Sequence, residues 1–257
     1  MNHPDTKRPG SPFAFSGGAF PRETPDIETA SEGYAGRFAG EVGAWFLDIQ
    51  ARTTLELLRP WPGAAVLEVG GGHAQFAGPL LEAGYRVTVT GSGIQAGQRL
   101  ARLLPPGSYG FVVSDLLRLP FPDRSFEAVL AFRLLAHVQA WPALLAELCR
   151  VARKVVVVDY PEKLSVNLIS EKLFAAKLAV EKNTRPFHLY YGNSLASEFN
   201  RLGFSGLVWR PQFFLPMALH RGLGKAGLSR AAEGVCRALG LTRALGSPVI
   251  LRASRLG

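Results

Sequence analysis

The segment with the clearest chemical potential is Val66-Leu67-Glu68-Val69-Gly70-Gly71-Gly72-His73-Ala74-Gln75-Phe76. An apolar run acquires an acid, passes through three glycines and enters a stretch with helical spacing. Glycine lets the backbone turn sharply and lets a ligand lie against it with no Cβ in the way. The helix that follows points unpaired N–H groups at that ligand. Farther on come Ser114-Asp115-Leu116-Leu117-Arg118-Leu119-Pro120-Phe121-Pro122-Asp123, then His137, then Glu147-Leu148-Cys149-Arg150-Val151. The imidazole of His137 has a pKa suited to a general base near neutral pH. In Arg185-Pro186-Phe187-His188-Leu189-Tyr190-Tyr191, the histidine and two tyrosines either line an acceptor pocket or pack as an aromatic cluster. His73 sits in the glycine loop, beside whatever that loop binds, and His220, amid basic residues, is expected at the surface.

These residues need a frame, and the hydropathy pattern supplies one. Apolar or β-branched runs at 65–69, 86–90, 110–114, 126–131 and 154–159 alternate with helix-like stretches at 75–83, 95–104 and 142–151. A run such as Val155-Val156-Val157-Val158, apolar throughout, suits a strand covered on both faces. Strand, helix and strand in succession imply right-handed crossovers and a mostly parallel sheet. The expected fold is α/β, a doubly wound, Rossmann-like, seven-stranded sheet with helices on both faces. A helix over 41–58 precedes the core and ends at Arg59-Pro60-Trp61-Pro62-Gly63, because proline cannot continue the hydrogen-bond ladder. After Tyr160-Pro161 an amphipathic helix over 163–182 is expected to lie on the carboxyl edge of the sheet as a lid. A helix at 194–202, a strand at 207–210, a helical region at 217–239 and a strand at 248–253 complete the pattern.

Composition narrows the class. The chain has 257 residues, of which 47% are hydrophobic and 19% charged, which is globular rather than disordered. Two cysteines, Cys149 and Cys236, exclude a disulfide framework or a four-cysteine zinc site and fit a reducing cytoplasm. No metal site is expected. The N-terminus lacks a signal-peptide core, and no run approaches the roughly 18 apolar residues of a membrane span. Residues 1–28, rich in Pro, Gly and Ser, read as a disordered leader or a draping arm. The net charge is +9, and residues 201–257 carry nine Arg or Lys against Glu233 alone. So concentrated a field suits an anionic partner, and an Arg-favouring coding bias accounts for it equally well.

Taken in order, the glycine loop, the Asp-x-x-x-Leu-Pro-Phe-Pro-Asp run and the Glu-x-x-Arg-Val run resemble the class I S-adenosylmethionine-dependent methyltransferases. The resemblance is to the small-molecule group that includes the ubiquinone and menaquinone enzymes. It covers residues 66–159 and, more loosely, the Gly203-Phe204 region and the last strand. It implies one domain over 29–257: an N-terminal cover and helix (29–62), a cofactor-binding core (63–160), an inserted lid (161–192) and C-terminal helices and strands (193–257). It implies S-adenosyl-L-methionine as cofactor, with Glu68 receiving the methionine amino group and Gly70, Gly71 and Gly72 admitting the cofactor to the backbone. It further implies Asp115 on the adenine amino group, Leu116 beside the ring, and Phe132 and Arg133 near the methionine end. Tyr34 would belong to a cover over the cofactor, with Arg37 meeting the methionine carboxylate. His137 becomes the candidate base, and His188, Tyr190 and Tyr191 the candidate acceptor contacts.

One departure bears on affinity. An acid at the end of the second strand accepts ribose hydroxyls in such folds, and here the chain reads Val89-Thr90-Gly91-Ser92-Gly93. Ser92 or Gln95 would replace the carboxylate with neutral, weaker hydrogen bonds. The acceptor expected is a small molecule, hydrophobic or quinone-like. Phe213-Phe214-Leu215-Pro216-Met217 beside Arg221 and Lys225 suggests contact with an anionic membrane or lipid-like substrate. Packing of that run on the sheet is the other reading. An RNA methyltransferase is a lesser alternative: the basic C-terminus favours it, and the lack of an Asn/Asp-Pro-Pro-Tyr tetrapeptide, a catalytic Pro-Cys and an RNA-binding module counts against it. A non-catalytic scaffold on the same fold is the alternative from a different class.

Overall fold

The computed structural model describes residues 21–165 and 187–255. Seven strands form one sheet: β1 (Ala65–Val69), β2 (Arg86–Gly91), β3 (Gly110–Val113), β4 (Phe126–Ala131), β5 (Ala152–Tyr160), β6 (Gly206–Pro211) and β7 (Val249–Ser254). Their order is β3-β2-β1-β4-β5-β7-β6. The first five are parallel, and β7 runs antiparallel between β5 and β6. The order reverses between β1 and β4, which opens a crevice above their carboxyl ends, the place where open α/β sheets take ligands.

The alternation of side chains builds two cores from the same strands. Leu67, Val69, Val129, Ala131, Val156 and Val158 face α6 (Trp141–Val151) and the Leu195 and Phe199 side of α7 (Gly192–Arg201). Val66, Ala128, Leu130, Val155 and Val157 face the other way, toward the end of α3 (Gly40–Leu58), Ala77 and Leu80 of α4 (Ala77–Glu82), and Leu100 of α5 (Gln98–Leu103). All four consecutive valines of β5 are fully buried. At about 1.5–2 kcal/mol per buried valine, this strand alone anchors both layers. The other end of α3 presents Val42, Trp45 and Phe46 to Phe213 and Ala226 of the C-terminal region, forming a third, aromatic core.

Several expectations change. The 217–239 region is two helices, α8 (Met217–Leu223) and α9 (Ala226–Ala238), and a third, α10 (Leu241–Leu245), follows it. Gly224 and Gly240 separate the three, each with a positive φ that ends a helix. His220, expected at the surface, is fully buried. Its Nε2 lies 3.1 Å from Glu233 Oε1, and Glu233 also accepts the N–H groups of Phe214 and Leu215 and the hydroxyl of Thr242. This knot fixes the 213–217 segment against α9. Of the leader expected over 1–28, residues 1–20 lie outside the described residues, and part of the rest is ordered. Residues 25–29 form α1 (Pro25–Thr29), begun by a proline whose φ is preset for a helix, and Asp26 and Thr29 are buried. α2 (Glu32–Ala35) follows, capped by the Ser31 hydroxyl, which accepts the Tyr34 N–H at 3.1 Å. The lid helix expected over 163–182 lies outside the described residues except for its first three positions. No described helix is long and apolar enough to cross a membrane.

Candidate active site

Three adjacent strands each deliver a charged group to the carboxyl edge of the sheet. Glu68 stands near the end of β1, Arg133 follows β4, and Asp159 stands near the end of β5. Arg133 has a positive φ of 58°, an uncommon conformation for a side chain of its size. Its backbone N–H donates to Asp159 Oδ1 at 2.6 Å, and its guanidinium donates to Gln50 Oε1 at 3.2 Å. The same guanidinium lies 4.4 Å above the Phe38 ring centroid, a favourable cation–π placement. Burial pushes the Glu68 carboxyl up to about 8, and Arg133 opposes that shift. Burial likewise raises Asp159 to about 6, against the Arg133 N–H bond and charge. Glu68 Oε2 is buried with no hydrogen-bond partner.

The glycine loop shapes the floor. Gly70 has φ 69°, donates its N–H to Thr90 O at 2.8 Å, and would bring a Cβ within 2.8 Å of Leu134. A Cβ on Gly72 would lie 2.7 Å from Ala30 Cβ. Both positions therefore require glycine. His73 follows, caged edge-on by Tyr34 and Phe38 at 5.8 and 5.5 Å between ring centroids. Burial, then the Arg133 and Arg99 charges, depress its pKa to about 3, so the ring is neutral, and neither of its nitrogens has a partner.

Beside this cluster opens a cavity of about 280 Å³, lined by Tyr34, Phe38, Phe46, Gln50, Arg133, His137, Asp159, Phe187 and residues 213–217. Its lining combines the polar groups of Gln50, Arg133, His137 and Asp159 with aromatic side chains. The Phe213–Met217 run lines this cavity, and Phe213 is buried, so packing on the core accounts for that segment. His137 reaches the cavity, with the Phe187 ring 5.7 Å away. Tyr34 lines the cavity, with the Arg133 guanidinium 5.9 Å from its ring centroid. Arg37 instead stays half-exposed, 3.8 Å from Glu28 and over the Tyr34 ring at 4.9 Å, so Arg133 is the cation that meets the cavity.

Other expected contacts fall elsewhere. Tyr190 does not line this cavity: it is buried, and its hydroxyl donates to Leu135 O at 2.6 Å. Tyr191 borders a second cavity with Tyr160, Glu162 and Trp209. His188 is half-buried and donates its backbone N–H to Ala136 O at 2.9 Å, which ties the 187–190 segment to the loop carrying His137. The Leu116 side chain is fully buried in the core, and Phe132 packs on Phe76 with centroids 4.1 Å apart. Asp115 accepts the Leu117 N–H at 2.9 Å, shaping its own turn. Glu147 and Arg150 fasten the loop after it: Arg150 binds Glu147, Asp123 and the carbonyls of Leu119 and Phe121. Asp159 and Gln50 were missed in the sequence. An acid closing an all-valine strand was a usable signal for the first; nothing marked the second, a polar residue on an amphipathic helix. Among the described residues, no group of three His, Cys, Asp or Glu side chains could hold a metal ion.

Comparison with known proteins agrees with this geometry. A family model described as a methyltransferase domain matches residues 67–157. An O-methyltransferase of Pyrenophora dematioidea is 32% identical over 111 residues, which span 40% of this chain and 41% of that protein. The solved structure of magnesium protoporphyrin IX methyltransferase from Synechocystis PCC 6803, with bound S-adenosylhomocysteine, superposes with a TM-score of 0.61. It is 17% identical, covering 89% of this chain and 96% of that one. The [4+2]-cyclase SpnF shares the fold at a TM-score of 0.53 and 20% identity over 80% of each chain. Residues 67–157 thus match a methyltransferase domain, and the strand order gives the chain the fold of solved S-adenosylmethionine-dependent methyltransferases.

Proposed function

We propose that this protein transfers a methyl group from S-adenosylmethionine to a small acceptor with an apolar, ring-like body. The observation that carries the reading is the cavity walled by Phe38, Phe46, Phe187 and Phe213 that opens directly onto Arg133 and Asp159. Its volume of about 280 Å³ is near the low end of small-molecule sites, which begin at about 300 Å³. The residues fit the cofactor at its methionine end: Glu68 offers a buried oxygen without a partner, and Gly70 and Gly72 leave the loop bare of side chains.

Bound there, S-adenosylmethionine supplies a methyl already activated by its sulfonium. The protein's share is alignment and proton handling. Glu68 holds the ligand's ammonium, Arg133 faces its carboxylate, and Asp115 with the backbone of Leu116 meets the adenine. The aromatic walls orient the acceptor and exclude water. His137, at the cavity wall, takes the proton when a hydroxyl is methylated.

The exposed apolar side chains of Leu219, Leu223, Leu228, Val235 and Leu239, among Arg221, Lys225, Arg230 and Arg237, support peripheral contact with anionic lipid near a hydrophobic acceptor. The test of the main reading is calorimetric titration with S-adenosylhomocysteine, followed by radiolabelled methyl transfer to a panel of phenols and quinols. Micromolar binding and transfer to at least one acceptor are expected. Binding without transfer to any acceptor would favour the scaffold reading, and absence of binding would refute the proposal.

A further inference from the structure

The second strand ends at Thr90-Gly91 with no acid, and the structure supplies one from elsewhere. Asp26, on α1, is fully buried with its carboxylate at the tip of β2. Its Oδ2 accepts the Ser92 N–H at 2.7 Å, and its Oδ1 accepts the Ser92 hydroxyl. A Cβ built on Gly91 would lie 3.4 Å from Asp26 Oδ2, so the carboxylate occupies the space that a side chain on the strand itself would have used. Gly91 cannot carry that side chain, because its Cβ would be 2.6 Å from Ala96 Cβ. Arg22 extends the same arm over the neighbouring strand ends, donating to the carbonyls of Ser92, after β2, and Ser114, after β3. Ala30, at the arm's other end, lies against Gly72.

Resting on the methyltransferase reading, we infer that Asp26 is the ribose-binding carboxylate of this protein, delivered by the N-terminal arm rather than by the second strand. A carboxylate has about four lone-pair positions. Ser92 takes two of them, which leaves acceptors for a vicinal diol. Asp26 has no exposed surface with the arm seated, so the arm must lift to admit the nucleoside and reseat over it. Cofactor binding and arm docking are then one event. A strand-borne acid would recognise the ribose whether or not the arm were seated; this arrangement makes recognition conditional on closure.

The experiment compares S-adenosylhomocysteine with its 3′-deoxyribose analogue by calorimetry, on the wild-type chain and on Asp26→Asn. The wild type is expected to prefer the diol ligand by about tenfold or more, the range of a charge-assisted hydrogen bond. In Asp26→Asn that preference should shrink to less than about threefold through loss of S-adenosylhomocysteine affinity. An equal loss for both ligands would show that Asp26 only anchors the arm, and tighter binding by the variant would show that the arm blocks the site; either overturns the inference. Limited trypsin digestion gives a second readout. Saturating S-adenosylhomocysteine should slow cleavage after Arg22 and Arg37, and faster cleavage would mean that the ligand expels the arm. A wild-type chain that binds neither ligand would instead refute the methyltransferase reading and this inference with it.

Discussion

Glu68 should make cofactor affinity depend steeply on pH. In the free protein, burial raises its carboxyl to about 8, so near neutrality most molecules hold it protonated. An ammonium placed on Glu68 Oε2 favours the ionised form and returns the group toward the ordinary carboxylate value of 4.5. Binding must therefore expel a proton. The observed Kd for S-adenosylhomocysteine should fall about eightfold between pH 6.5 and 7.5, from the ionised fraction of a group titrating near 8. That window lies above the Asp159 pKa of about 6, so one group dominates it. Titrations in buffers of different ionisation enthalpy should report close to one proton released per ligand at pH 6.5. Glu68→Gln should bind more weakly at pH 7.5, with a flat profile and no proton release. The same shift has a consequence for folding. Because the folded pKa lies above the unfolded one, the native state retains a proton the unfolded chain has lost. That contribution is complete below about 4.5 and disappears as pH rises through about 8. Glu68→Gln should therefore stabilise the ligand-free protein increasingly from pH 5 to 8, by on the order of a few kcal/mol at most. A pH-independent Kd with no proton release would refute the assignment of Glu68 to the ammonium.

Other outcomes follow from the same geometry. His137→Asn should lower kcat by on the order of a hundredfold on a hydroxyl acceptor, while S-adenosylhomocysteine affinity by calorimetry stays within about threefold. An unchanged kcat would remove His137 as the base. Glu233→Ala would strand the N–H groups of Phe214 and Leu215, the His220 ring and the Thr242 hydroxyl. A loss of about 3 kcal/mol or more is expected in urea unfolding, with Glu233→Gln losing less because it keeps an acceptor. If the face of α8 and α9 touches anionic lipid, the protein should float with phosphatidylserine vesicles at low salt and detach at about 0.5 M salt, where screening is nearly complete. Failure to float at low salt would end that idea.

Most of the sheet was legible because burial on both faces writes itself into composition. Val155 to Val158 can only be an inner strand, and β1 and β4 share their expected and observed limits. The glycine loop was legible for a related reason, since Gly70 and Gly72 stand where backbone angle and close approach exclude other residues. What stayed hidden depended on long-range contact. Tyr190 has the composition of a pocket residue, and only the fold reveals that its hydroxyl meets Leu135. His220 sits in a basic stretch that reads as surface until Glu233 folds back onto it. Asp26 lies in a segment rich in proline and glycine, 66 residues from Ser92, its partner. No local pattern connects the two.

The hidden contacts converge on one structural consequence. The carboxyl edge of the sheet is bordered by residues from the whole chain: Asp26 and Tyr34 before the sheet, Arg133 just after β4, Asp159 near the end of β5, and Phe213 to Met217 after β6. The strands fix the positions of Glu68, Arg133 and Asp159 through buried, regular pairing, which leaves them little freedom. The covering pieces are short and attached by side chains: α1 through Asp26 and Arg22, the 213–217 segment through Glu233. Opening such pieces costs only local contacts, so the covers are drawn from the low-stability end of the molecule while the charged floor belongs to its core. Deuterium exchange should separate the two, fast over 22–38 and slow over β1, β4 and β5, with bound S-adenosylhomocysteine slowing the first set far more than the second. Equal protection in both sets would mean that the cover and the sheet open together.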